Sequence, residues 1–205
     1  MLPSITTRCV PREDVLLGRL ADNHFAAQLD QVVRNPSAYP IYGDPEEFFS
    51  ITYPTSGLRQ LLTSTFARLS GAKATGSEHG VLRLATSFGG GKTHGLMAVY
   101  HLACGARPAN LAEFVDPRLM PKDCQVAAGV ADTLDPENGL LTNGIRTYTL
   151  WGELAAQLGP DAYAKLAASD AGRTAPGVCV RLWTEREQAE NEFPRARLRP
   201  VAHQC

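Results

Sequence analysis

The chain has 205 residues, 44% of them hydrophobic and 20% charged, with a formal net charge of −1. This is an ordinary globular composition, large enough for one substantial domain or two small ones, and it excludes disorder throughout. The near-zero charge gives no bulk field to attract nucleic acid or an anionic membrane.

The segment from Arg12 to Asn35 reads as helix, with Val15, Leu16, Leu20, Phe25, Leu29, Val32 and Val33 at three- and four-residue steps and a break near Asp22-Asn23. Residues 36–43 read as a loop. Asp44-Pro45-Glu46-Glu47 is a helix start, with Asp44 as N-cap, Pro45 at the first position and Glu47 reaching back. Leu58, Leu61, Leu62, Phe66 and Leu69 then mark one face of a helix from about Ser56 to Ser70. Small and polar residues from Gly71 to Glu78 close an all-helical region, 1–78.

Gly80 to Thr86 is an apolar run of strand length, and Thr86-Ser87-Phe88-Gly89-Gly90-Gly91-Lys92-Thr93 follows it. These eight residues fit the phosphate-binding pattern Gly-x-x-x-x-Gly-Lys-[Ser/Thr], with Thr86 in place of the first glycine. Wrapping a phosphate chain in backbone N–H groups requires dihedrals that glycine adopts cheaply, which Gly89, Gly90 and Gly91 provide. Ser87 and Phe88 complete the loop that would touch the nucleotide. Lys92 is the expected partner of the β- and γ-phosphates, and the Thr93 hydroxyl the expected Mg²⁺ ligand. His94 reads either as a residue approaching the γ-phosphate or as a polar helix-start residue. Gly95 to Cys104 is a largely buried helix closed by Gly105, and its positive N-terminal end favours an anion.

Further on, Leu111 to Val115 reads as a short helical turn, with Asp116-Pro117 and Met120-Pro121 as breakers. Cys124 to Ala131 reads as a second strand, and Asp132 at its end as a Mg²⁺-holding acid or a turn former. Asp135 to Gly139 is a turn. Leu150 to Leu158 is a helix ending at Gly159, and Pro160-Asp161 opens another that runs to about Ala168 with Tyr163 and Leu166 on its apolar face. No Ser/His/Asp, Cys/His or paired-carboxylate spacing suggests separate catalysis. Five cysteines, at 9, 104, 124, 179 and 205, form no C-x-x-C pair, which speaks against a disulfide framework or a zinc ribbon. Neither a signal-peptide core nor a membrane-length apolar run is present, so a cytoplasmic location without a membrane partner is expected.

Cys9 to Val15, Phe48-Phe49 with Thr52-Tyr53-Pro54-Thr55, Thr86 to His94, Ala112 to Pro117 and Trp151-Gly152-Glu153 together resemble a bacterial family of AAA+-like ATPases catalogued as domain of unknown function 499. The likeness runs to about Gly177. The family's loop is typically Thr-Ser-Phe-Gly-Gly-Gly-Lys-Thr-His, so Thr86 looks like a family trait. The resemblance implies an α/β fold: a partial P-loop NTPase parallel sheet over 79–177, behind the helical region 1–78. It also implies ATP and Mg²⁺ as ligands, a homo-oligomer or larger ATPase complex, and remodelling of a partner, with DNA-modification or phage-defence settings among the options.

Family members are much longer, and the apolar strand ending in Asp-Glu that their pattern places next has no counterpart here. Residues 178–205 carry five arginines, no lysine and two prolines, and read either as an out-of-frame or otherwise foreign extension of an N-terminal fragment or as a genuine arginine-rich surface tail. Without a Walker B acid or an arginine finger, ATP binding with little or no hydrolysis is expected. Two other readings stand beside it. One is a small P-loop phosphotransferase using Arg195, Arg197 and Arg199; the other is a non-catalytic fragment whose N-terminal helices bind a partner.

Overall fold

The computed structural model describes residues 11, 13–18, 27–71, 82–85, 89–131 and 134–174. The break at Asp22-Asn23, the loop residues Thr86, Ser87 and Phe88, Asp132 and the tail 178–205 lie outside the described residues. Among the described residues, short helices α1 (Glu13–Leu16) and α2 (Leu29–Arg34) come first. The stretch expected as a loop holds a 3₁₀ turn, Pro36–Ala38, and α3, Pro40–Gly43. Each begins on a proline, whose missing N–H costs nothing at a first helical position.

The start of α4 (Pro45–Ile51) follows the sequence reading: the Asp44 carboxylate accepts from the Glu46 and Glu47 amides at 2.8 and 3.1 Å. The reach-back expected of Glu47 is supplanted, because Asp44, the C-cap of α3, donates its amide to the Pro40 carbonyl at the start of that helix. Thr55 caps α5 (Ser56–Leu69) by accepting from the Leu58 amide. Helix α6 (Lys92–Ala103) ends in a Schellman motif, with the Ala106 amide on the His101 carbonyl, the Gly105 amide on the Leu102 carbonyl, and Gly105 at φ 99° as expected.

One core draws on α2, α4, α5, α6 and a 3₁₀ turn at Leu111–Glu113. Val32, Phe48, Phe49, Leu62, Phe66, Met97, Leu102 and Phe114 are each no more than 2% exposed. Full burial of such side chains stabilises the fold by roughly 1.5–3 kcal/mol each. Phe49 meets Phe48 and Phe114 edge-on, with ring centroids 5.1 and 5.0 Å away. Gly95 lets α5 and α6 close together, since a Cβ there would lie 3.1 Å from Leu61 Cδ2.

After a second 3₁₀ turn, Pro117–Leu119, the chain forms the antiparallel pair β1 (Leu140–Thr142) and β2 (Ile145–Thr147), then α7 (Leu150–Leu158), α8 (Pro160–Ala164) and α9 (Ala167–Ala171). The hairpin, absent from the sequence reading, turns on Asn143-Gly144 with φ of 51° and 79°, the two positive values a type I′ turn requires. The helix expected to continue to Ala168 breaks at Lys165-Leu166, where the Leu166 side chain is buried. Residues 82–85 and 124–130, expected within parallel strands, have no sheet pairing among the described residues. The second segment rests on the core through Cys124 and Val126. Its Ala128 amide and carbonyl bond the side-chain amide of Gln157, both at 2.9 Å, so a glutamine takes the place of a neighbouring strand.

Two buried carboxylates organise the hairpin and its helices. Asp170, 1% exposed, accepts from the Thr149 amide and hydroxyl at 2.8 and 2.7 Å, the Tyr148 amide at 3.1 Å and the Tyr163 hydroxyl at 2.9 Å. Glu153, 3% exposed, accepts from the Thr142 and Thr147 hydroxyls and the Gln157 amide, and lies 3.5 Å from the Arg34 guanidinium on α2. Gly152 belongs to the same arrangement, since a Cβ there would stand 2.1 Å from Asp170 Oδ1.

Two helical glycines should therefore respond oppositely to alanine. Gly152→Ala has no room beside Asp170 and is expected to destabilise by about 2 kcal/mol or more. Gly57→Ala in α5 meets open space and is expected to stabilise by about 0.5 kcal/mol. Urea denaturation midpoints check both.

Candidate phosphate-binding site

Gly89 and Gly91 are left-handed, at φ 78° and 71°, and Gly91 is the N-cap of α6. A non-glycine residue would be strained at either position. Among the described helices of nine or more residues, α5 and α7 take side-chain caps from their N-cap residues Thr55 and Thr149, whereas the N-cap of α6 is Gly91, which has no side chain to offer. The first amides of a helix have no intrahelical acceptor, so the 12-residue α6 directs N–H groups and the positive end of its dipole at the glycine loop. That donor arrangement is the kind that binds phosphate oxygens.

The predicted residues that the structure describes stand together. Gly89, Gly90 and Gly91 are exposed, Lys92 is half-buried as the first helical residue, and Thr93 is exposed beside it. Ser87 and Phe88 precede this group in the chain and lie outside the described residues, as does Asp132. Thr93, exposed next to Lys92 in the first turn of α6, stands where the sequence pattern expects a Mg²⁺ ligand. No group of three or more His, Cys, Asp or Glu side chains among the described residues could hold a metal ion on its own.

His94 is held from beneath. Its Nε2 lies 2.8 Å from Thr52 Oγ1, and its ring packs on Phe48 with centroids 4.5 Å apart. The Thr52 hydroxyl donates its one hydrogen to the Phe48 carbonyl at 2.6 Å, so its oxygen must accept from His94. This fixes neutral His94 as the Nε2–H tautomer. Two turns along α6, His101 contacts the same Phe48 ring at 5.2 Å and bonds the Tyr42 carbonyl through Nε2 at 2.7 Å.

Burial lowers the pKa of both histidines. For His101 the Tyr42 carbonyl and Asp44 oppose that shift in part. Thr52 was not singled out as a site residue from the sequence, because it is 42 positions from His94 and no local periodicity joins them. The only sequence signal at hand was its place in Thr52-Tyr53-Pro54-Thr55.

A family model described as the DUF499 N-terminal domain matches residues 8–116, more than half of the chain. No curated protein and no solved structure matches it. Among the described residues, no helix is long and apolar enough to cross a membrane.

The histidines make stability depend on pH. Between the lowered folded values and the ordinary 6.5, the unfolded chain binds more protons than the folded one, so stability is lost as pH falls through that window. Urea midpoints should drop between about pH 7.5 and about pH 5.5, and a His94→Gln/His101→Gln double variant should show a smaller drop over the same range.

Proposed function

The chain belongs to the DUF499 family, and from that premise we propose that it is the ATP-binding part of an AAA+-like P-loop ATPase. One observation carries this reading. Left-handed glycines at 89 and 91 lead into a helix that starts at Lys92, with Gly91 itself as the N-cap. Backbone amides of the glycine loop and the first turn of α6 hold the phosphates, Lys92 neutralises them, and Thr93 faces the cation. Bound Mg²⁺ would supply charge neutralisation across the phosphate oxygens. The α/β sheet with parallel strands near 80–86 and 124–131 belongs to the same proposal.

The proposed activity is binding with little or no turnover. Hydrolysis in P-loop ATPases needs an acid that positions Mg²⁺, a group that orients the attacking water, and commonly an arginine from a neighbour. In this sequence Asp132 is followed by Thr133 rather than by a second acid. Turnover would then depend on a larger ATPase complex.

Isothermal titration of ATP with Mg²⁺ tests the reading. Loss of a charge-assisted contact in Lys92→Ala should weaken binding by about ten- to a hundred-fold. Unchanged affinity in that variant would sink the phosphate site. ATPase activity in the intact chain that vanishes in Lys92→Ala would overturn the expectation of little turnover.

A further inference from the structure

We propose that Tyr53 is the platform on which the base of the bound nucleotide stacks, an inference that rests on the phosphate-site reading above. Four residues, Thr52 to Thr55, join α4 to α5, and both ends of the connection are fixed. Thr52 is 8% exposed, donates to the Phe48 carbonyl and accepts from His94. Thr55 caps α5 through its hydroxyl and donates its amide to the Tyr53 carbonyl at 2.8 Å. Pro54 further restricts the backbone between them.

On this fixed connection Tyr53 is 80% exposed, more than any other exposed large hydrophobic residue among those described. Burying such a ring would be favourable, yet the backbone that carries it is tied down with the ring in solvent. Its place in the chain gives that exposure a meaning. Consecutive Cα atoms are about 3.8 Å apart, so Tyr53 begins one residue from the contact with His94, itself next to Thr93. A nucleotide with its phosphates on the glycine loop has its ribose and base to place beyond that loop, and an aromatic face on preordered backbone suits a base. Stacking of this kind tolerates any base, because each has a π face. The glycine loop supplies phosphate recognition, and Tyr53 supplies the contact that distinguishes a nucleotide from bare polyphosphate.

The test uses the intact chain and two ligands with Mg²⁺, ATP and inorganic tripolyphosphate, titrated calorimetrically. Tyr53→Ala is expected to weaken ATP by about ten-fold while leaving tripolyphosphate unchanged, and Tyr53→Phe to bind both like the parent. Lys92→Ala should weaken both ligands. If Tyr53→Ala binds ATP like the parent, or loses both ligands equally, the base platform is wrong and the phosphate site stands. If the parent chain binds tripolyphosphate but gains nothing from the nucleoside, the platform is also wrong. Should the parent bind neither ligand, the phosphate-site reading fails and carries this inference with it.

Discussion

The ring of Phe48 under α6, in contact with both His94 and His101, is the contact around which the described structure is arranged. Helix α6 has to bury most of one side while Gly91 and Thr93 at its start stay exposed. Phe48 reconciles the two demands by touching His94 in the first turn and His101 two turns later, while Phe49 beside it reaches Phe114. The Phe48 carbonyl also receives the Thr52 hydroxyl, so one residue fixes the helix, its first turn and the connection leading away to α5. The glycine loop is thus set on the main core rather than on a free edge. The region matched by the family ends at 116, one residue past Val115, the last residue of that core in chain order.

Local chemistry was legible in the sequence wherever a backbone demand falls on one residue. Asp44 and Pro45 at the start of α4, Gly105 at the end of α6, and Gly159 after α7 all stand where capping and left-handed geometry require them. The hairpin could have been read as well. Asn143-Gly144 between Leu140-Leu141-Thr142 and Ile145-Arg146-Thr147 is a strong two-residue turn signal, flanked by strands of three residues, too short to show a period-two pattern of their own.

Other features lay beyond any local pattern. Glu153 and Asp170 are carboxylates that composition alone would place on the surface, and only their converging donors explain why they are buried. An apolar run such as 124–131 records that a segment prefers burial, but not what will bond its main chain, and Gln157 lies 29 residues from Ala128. In the proposed site, the glycines and Lys92 stand out in the sequence because the phosphate-binding pattern constrains neighbouring residues. Thr52 was not, since its role exists only after α4 and α6 pack.

The two carboxylates differ in what they connect. Asp170 closes a local circuit through the start of α7 and Tyr163, whereas Glu153 reaches from the hairpin to Arg34 on α2. Its strong partners are neutral hydroxyls and an amide at 2.7 to 3.0 Å, and the guanidinium stands farther off at 3.5 Å. A buried ion pair can fail to repay its desolvation, so the hydroxyls and amide are the groups that make burial of Glu153 tolerable. Arg34 adds direction, linking α7 to α2.

The single hydrogen of the Thr52 hydroxyl reaches further than the bond it makes. By committing it to the Phe48 carbonyl, the chain obliges the imidazole to offer its N–H downward, into the protein. The other ring nitrogen of neutral His94 is left with a lone pair. An anion meeting that nitrogen would be repelled rather than bound until a proton arrived, and burial makes that proton harder to acquire. The polarity of a ring beside the glycine loop is in this way set by a threonine from a different helix, through the direction of one O–H bond.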